Sequence, residues 1–194
     1  MPKITRDSLL TLEAYSKERD RFRKKIIEHK KNRTISLGEH ITLFFEDELT
    51  MRYQVQEMLR AEKIFEEDEI RNELDAYNPL IPDGNNFKAT LMIEYADATE
   101  RQIWLAELKG IEHRIWIEIK GYSPVYAIAD EDLERENSEK TSAVHFLRFE
   151  LTPAMKKAFK EGINSNIGID HPAYPKVNQI IPLEVRAALI NDLD

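Results

Sequence analysis

Apolar and polar residues alternate with a period of two along several short stretches of this chain. Such alternation is typical of β-strands that bury one face. The alternating stretches are "HITLFFED" (40–47), "FKATLMIEY" (87–95), "HRIWIEIKG" (113–121), "PVYAIADED" (124–132) and "AVHFLRFEL" (143–151). The last three follow one another without a helical pattern between them, which indicates antiparallel pairing.

Helical patterns precede and separate these stretches. Apolar residues recur at helical spacing in an N-terminal segment that Asp7 or Ser8 can cap, and again over 48–65. The shorter helical patterns are "EEDEIRNELDAYN", "DATERQIWLAELKG", "TPAMKKAFKEG" and "PLEVRAALINDL". Together these patterns predict an α+β fold with a mainly antiparallel sheet of about five strands, helices packed on one face and an N-terminal helix. We interpret 1–194 as a single domain, in which 1–33 is a helical arm and 34–194 is the α+β core.

The alternation also sorts side chains onto the two faces of the predicted sheet. His145 falls on the apolar face of its strand, with leucine and phenylalanine as neighbours. The opposite face mixes charged and aromatic residues and contains Trp116, Phe146 and Arg148. This mixed face fits two interpretations: a solvated sheet with cross-strand ion pairs, or a surface for binding or dimerisation.

Composition excludes several kinds of chemistry. The 194 residues contain no cysteine, so this chain alone supplies no disulfide, thiolate zinc site or iron–sulfur ligand. The net charge of −8 opposes general binding to nucleic acid, although 17–33 holds nine Lys and Arg against three acids. That basic stretch is interpreted as a solvated helix flank rather than an arm for an anionic partner. No apolar stretch is long enough for a signal peptide or a membrane span, so we expect a soluble cytoplasmic protein without membrane contact.

Polar residues on the apolar side of the helix 48–65 mark a candidate site. Gln54 and Glu62 fall on that side, and a buried carboxylate needs a partner. His145 is the polar exception on the apolar sheet face, so the three side chains are predicted to meet between helix and sheet. The cluster fits a metal or acid–base site, and it also fits a satisfied buried hydrogen-bond network. Because no HxxxH or ExxH spacing occurs, the network is the favoured interpretation.

A loop supplies a second candidate site. Asp170 and His171 lie in a stretch rich in Asn and Gly, and loops of this kind often carry function. No glycine-rich phosphate loop, nucleophile elbow or serine triad is present.

Three blocks of sequence resemble a known bacterial family. They are "LFFEDELTMRYQVQEMLRAEKIF", "ELDAYNPLIPDGNNFKATLMIEY" and "EKTSAVHFLRFEL", and the likeness extends over nearly the whole chain. The family they resemble is catalogued as domain of unknown function number 3501. The resemblance implies no established activity. It implies a genomic context beside rubrerythrin-like and iron–sulfur oxidoreductase proteins, and hence a partner in oxidative-stress or redox metabolism.

These observations support three functional hypotheses. The first is an accessory protein that docks onto such a redox partner. Any iron–sulfur cluster would belong to that partner. The second is a metal-binding protein or enzyme that uses the region of Glu62 and His145, with a metal ion as its cofactor. The third is a homodimer without chemistry of its own.

Overall fold

Two antiparallel sheets organise the protein. The computed structural model describes residues 3–133 and 135–194, and within them nine strands are present. The strands are β1 (Thr34–Ser36), β2 (Ile41–Glu46), β3 (Asn86–Ile93), β4 (Ile115–Ile119), β5 (Val125–Tyr126), β6 (Ile128–Ala129), β7 (Val144–Glu150), β8 (Ser165–Ile169) and β9 (Val177–Ile180). The first sheet has the order β1-β2-β3-β7-β6, and the second has the order β5-β4-β8-β9.

The α+β class and the five-stranded antiparallel sheet are confirmed, and the second sheet adds four strands to them. The extended stretch 125–129 belongs to both sheets. Its first half pairs with β4 through Tyr126 and Trp116, and its second half pairs with β7 through Ala129 and Leu147. The chain therefore crosses from the second sheet to the first at Ala127, which is buried.

Six α-helices accompany the sheets within the same residues. They are α1 (Leu12–Lys31), α2 (Glu48–Ala61), α3 (Glu67–Tyr77), α4 (Ala98–Glu107), α5 (Pro153–Lys160) and α6 (Leu183–Leu189). Asp47 starts α2 with a capping box, because its carboxylate accepts from the Thr50 amide while the Thr50 hydroxyl accepts from the Asp47 amide. None of the described helices combines the length and the hydropathy that a bilayer span requires.

Helix α2 ends four residues earlier than the predicted 48–65. Lys63 takes a left-handed conformation with φ of 55°, and the amide of Ile64 donates to the carbonyl of Leu59 at 2.9 Å. This is the six-to-one hydrogen bond of a Schellman C-cap. Glu62 is consequently the C-cap residue and not part of the helix.

Two hydrophobic clusters hold these elements together. The larger one joins both sheets with α4, α5 and α6, and its centre contains Leu91, Ile117 and Phe149. The smaller one is helical and packs α2 against α3, with Val55 and Ile70 as members. Burial of each such side chain contributes roughly 1.5–3 kcal/mol.

Ion pairs and backbone contacts fasten distant segments. Arg33, just before β1, donates to both carboxylate oxygens of Asp192 at 2.8 Å, and both side chains are buried. The amide of Asp194 donates to the carbonyl of Gly84, just before β3. The C-terminal residues are thereby tied to both ends of the β1–β2–α2–α3 segment.

Candidate functional site

Strand pairing places Asp130 beside His145 at the end of β6. The amide of Asp130 donates to the carbonyl of Phe146 at 2.9 Å, which extends the β6–β7 ladder by one residue. Asp130 then turns with φ of 50°, a left-handed conformation that aspartate tolerates better than most residues. One of its carboxylate oxygens, Oδ2, lies 2.5 Å from Nδ1 of His145, while Oδ1 accepts from the Phe146 amide at 3.0 Å.

The other side of the imidazole faces two more polar groups. Nε2 of His145 lies 2.9 Å from Oγ1 of Thr141 and 3.0 Å from the carbonyl oxygen of Ser142. It also lies 3.9 Å from Oε2 of Glu112, which sits in a short 3₁₀ turn at residues 111–113. His145, Thr141 and Glu112 are each at most 4% exposed, so water screens these interactions poorly.

Glu112 is the least satisfied member of this group. Among the described residues its carboxylate receives one hydrogen bond, from the Thr141 hydroxyl at 3.4 Å. The nearest basic side chains among the described residues are imidazoles, with Nε2 of His113 at 3.8 Å and Nε2 of His145 at 3.9 Å. A buried carboxylate normally accepts several short hydrogen bonds or pairs with a cation, so Glu112 is poised for a further partner.

A cavity of about 250 Å³ reaches the cluster from the surface. Glu112, Asp130, Arg135 and Glu136 contribute to its wall. Arg135 donates to Asp130 at 3.2 Å and holds Asp132 in a two-pronged pair at 2.6 and 2.7 Å. The pKa of Arg135 is raised, chiefly by the hydrogen bonds to Asp132 and against the effect of burial, so the guanidinium stays charged beside the cavity.

The donor set suits a divalent cation. Glu112, Asp130 and His145 each offer a ligand atom, and these atoms lie within 4.8 Å of one another. One imidazole with two carboxylates is a set that zinc, manganese and iron(II) accept. An aspartate on Nδ1 also orients the ring and strengthens Nε2 as a ligand, as outer carboxylates do in many metal sites.

The same atoms also form a hydrogen-bond network without a metal. Both ring nitrogens of His145 face oxygen atoms that can accept, Asp130 on one side and Ser142 on the other. The hydrogen-bonding groups around the ring can therefore be satisfied within the protein. Thr141 is 1% exposed, which leaves no room for a substrate beside its side chain and argues against a threonine nucleophile.

The predicted cluster of Gln54, Glu62 and His145 is wrong. Gln54 and Glu62 are exposed, whereas His145 is fully buried and partnered by Asp130 and Thr141. Glu62 lies beyond the end of α2 and so leaves the packed face. Gln54 lies within α2, but the buried side of that helix is centred on Val55 and Leu59, which turns Gln54 to the surface. The buried glutamine of α2 is Gln56, whose side-chain amide exchanges hydrogen bonds with the backbone of Leu10.

The predicted common surface of Trp116, Phe146 and Arg148 is also wrong. Trp116 is on β4 in the second sheet, whereas Phe146 and Arg148 are on β7 in the first. The indole of Trp116 covers Gly168 of β8, where a Cβ atom would collide with the ring. Arg148 donates to Glu131 at 2.7 Å and to Glu150 at 2.6 Å, so its positive charge is paired within the chain.

Asp170 and His171 do not form one site. Asp170 accepts from the Tyr126 hydroxyl at 2.7 Å on the second sheet. His171 points inward, where Nε2 donates to the carbonyl of Lys109 at 2.9 Å and Nδ1 accepts from the Ala173 amide at 3.2 Å. This pattern defines a neutral imidazole that fastens a loop.

Of the residues in the observed cluster, His145 is predicted from the sequence, and Glu112, Asp130 and Thr141 are not. These residues come from a turn, a strand end and a polar loop, so no fixed spacing relates them. The loop 130–142 did carry a signal, because it begins and ends with polar residues next to the strand of His145. That signal does not specify which of its acids turns inward.

Fold and site together define an α+β protein with two antiparallel sheets and a buried imidazole–carboxylate cluster beside a surface cavity. The chain belongs to the family described as "Protein of unknown function (DUF3501)", whose model matches residues 3–193. It is similar to a crystal structure titled as a novel protein of unknown function from Burkholderia pseudomallei K96243. The two share 57% identity and a TM-score of 0.95, with 100% of each chain covered. No curated protein matches the chain.

Proposed function

We propose that the protein binds a divalent transition-metal ion between Glu112 and His145, with Asp130 as the partner that orients the imidazole. The observation that carries this proposal is the Glu112 carboxylate, which is buried, receives one long hydrogen bond and opens onto the cavity. A cation there would compensate the negative charge of the Glu112 carboxylate, which has few partners among the described residues.

The residues divide into inner and outer partners. Glu112 and Nε2 of His145 face each other across 3.9 Å and would hold the ion, with the Thr141 hydroxyl beside them. Oδ2 of Asp130 remains beside Nδ1 of His145 and keeps the imidazole oriented. Arg135 donates to the other carboxylate oxygen of Asp130. When bound, such an ion supplies Lewis-acid chemistry to a molecule in the cavity.

Metal content of the untagged protein tests this proposal. Protein purified without a nickel column should contain about one zinc, manganese or iron per chain, and metal-stripped protein should melt at a higher temperature when one of these ions is restored. Glu112→Gln keeps the shape and removes the charge, so it should lose the bound metal and the melting shift. Glu136→Gln is the matched control, because Glu136 lines the same cavity but is bonded to the Gly110 amide at 2.8 Å.

Two outcomes would overturn the metal site. One is wild-type protein that contains no stoichiometric metal and shows no melting shift with any of the three ions. The other is Glu112→Gln protein that retains the metal of the wild type. Either result would leave the cluster as a charge-compensated hydrogen-bond network.

The redox-accessory role stays a prediction. It was implied by the family resemblance, together with a rubrerythrin-like or iron–sulfur oxidoreductase partner, and the homodimer stays a prediction as well. The corrected positions of Trp116 and Phe146 mean that each sheet must be considered separately as a docking face for such a partner.

A further inference from the structure

Lys88 occupies an enclosed position on the outer face of the first sheet. It lies on β3, directly opposite Glu46 of β2 and Arg148 of β7 in the strand register. Its side chain is 15% exposed, which is low for a lysine. The loop that carries Pro79 lies above it.

Two cavities meet at this lysine. One, of about 210 Å³, is lined by Lys88 together with the apolar groups of Pro79, Leu80 and Phe146. The other, of about 220 Å³, is lined by Lys88, Pro79 and the more polar residues Lys3, Asn78 and Asp83. A small molecule with an apolar part and a reactive polar end could therefore place the two parts on opposite sides of Lys88.

The ammonium of Lys88 has few partners. Among the described residues its Nζ makes no hydrogen bond, and its one ion pair is with Oε2 of Glu131 at 4.0 Å. Glu131 is itself committed to Arg148, which donates to both of its oxygens at 2.7 Å. By contrast, Nζ of Lys156 donates to Asn85 at 2.6 Å and to the carbonyl of Gly84 at 3.0 Å.

The protein environment of Lys88 favours the neutral form of its amine more than bulk water does. Burial lowers the pKa of Lys88 below its ordinary value, and the positive charge of Arg148 acts in the same direction. The carboxylates of Glu131, Asp83 and Glu150 oppose this change without cancelling it. A desolvated lysine beside another cation is the arrangement in which lysine acts as a nucleophile.

We propose that Lys88 forms an imine with a small aldehyde or ketone whose apolar part packs against Phe146, Pro79 and Leu80. The neutral amine nitrogen adds to the carbonyl carbon and gives a carbinolamine. Both amine hydrogens then leave with the former carbonyl oxygen as water, and a carbon–nitrogen double bond remains. No oxidant or reductant takes part in this step. This site is separate from the cluster of Glu112 and His145 and does not depend on a metal.

Reductive trapping tests the proposal directly. The full chain is incubated at about pH 7 with limiting butyraldehyde and cyanoborohydride, which reduces any imine to a stable secondary amine. Peptide mapping by mass spectrometry then gives the modified fraction at every lysine. We expect Lys88 to carry the largest fraction, and Lys88→Arg to remove that fraction from the total.

Lys156→Arg is the matched control, because Lys156 is also half-buried but donates two hydrogen bonds. It should leave the total trapping nearly unchanged. If the adduct in wild-type protein spreads over the exposed lysines, or if Lys88 is among the least modified, the proposal is overturned. Because the distribution of the adduct is measured on folded wild-type protein, this test holds even if a variant fails to fold.

Discussion

At the scale of single residues, some half-buried charges pair with groups from other elements. Glu57 of α2 shows this clearly, since it accepts from Nε and Nη2 of Arg19 at 2.7 and 2.8 Å and from the Tyr15 hydroxyl at 2.7 Å. These groups join α1 to α2. The pKa of Glu57 is lowered to about 2, chiefly by the hydrogen bonds from Arg19 and further by Tyr15, against the effect of burial.

Glu57 should therefore contribute pH-dependent stability. A carboxylate whose pKa is depressed by folding stabilises the protein above its unfolded pKa of 4.5, and this contribution is lost as the pH falls toward about 2. After allowance for screening by solvent, we expect Glu57→Gln to lower the free energy of unfolding by about 1 kcal/mol at neutral pH. Urea denaturation across this pH range should show the difference from wild type shrinking as the pH falls. Glu13→Gln, which removes an exposed pair with Lys17, is the control, and a difference that stays constant with pH would contradict the assignment.

The candidate site shows how far residue-level reasoning from the sequence extends. The alternation of β7 correctly predicted that His145 is buried and needs a polar partner. It could not name Asp130 or Glu112, because strand pairing across the sheet brings them together. Helix phase proposed Glu62 instead, and that inference failed where the helix ended.

At the scale of elements, the strands were predicted well and one helix end was not. Period-two alternation is a local property, so β2, β3, β4 and β7 could all be recognised from their own residues. The end of α2 is also local, but its usual signal, a glycine in the left-handed position, is missing. Lys63 occupies that position, so the sequence suggested a continuous helix.

Lys63→Gly should stabilise the protein. A left-handed conformation costs a residue with a Cβ atom roughly 1–2 kcal/mol, and glycine avoids that cost while losing part of the gain to chain entropy. We expect the free energy of unfolding to rise by about 1 kcal/mol, measured by chemical denaturation. Glu62→Gly, one residue earlier at φ of −88°, should instead destabilise by a similar amount. Equal effects of the two changes would show that the C-cap is not formed as described.

At the scale of the whole molecule, strand partners could not be read from the sequence. The strands of the two sheets have the same alternation, so nothing in β4 indicates that it pairs with β8 rather than with β3 or β7. Pairing depends on long-range packing. The prediction of a shared face for Trp116 and Phe146 failed for this reason, although each strand was correctly identified.

The buried pair of Arg33 and Asp192 is expected to be the strongest single link between the two ends of the described chain. Asp192→Ala leaves a buried guanidinium without its main counter-charge, so we expect a loss of about 3–5 kcal/mol in the free energy of unfolding. Denaturant titration measures this loss. Glu28→Ala, which breaks an exposed pair with Lys31, should cost less than about 1 kcal/mol. If the two variants were equally stable, the link would be of minor importance.

That same pair has a consequence for synthesis on the ribosome. Arg33 is translated 159 residues ahead of Asp192, whereas Asp47, whose Oδ2 lies 2.9 Å from Nε of Arg33, follows it closely. Domains begin to fold while the chain is still growing. Until Asp192 emerges, enclosing the guanidinium leaves its two Nη atoms without the carboxylate that they bind in the folded protein, which carries an electrostatic cost. The apolar faces of β2 and β3 are synthesised well before Asp192, so the pair of Arg33 and Asp192 forms after them. Until Asp192 has been synthesised, the growing chain therefore exposes apolar strand faces of the kind that chaperones bind.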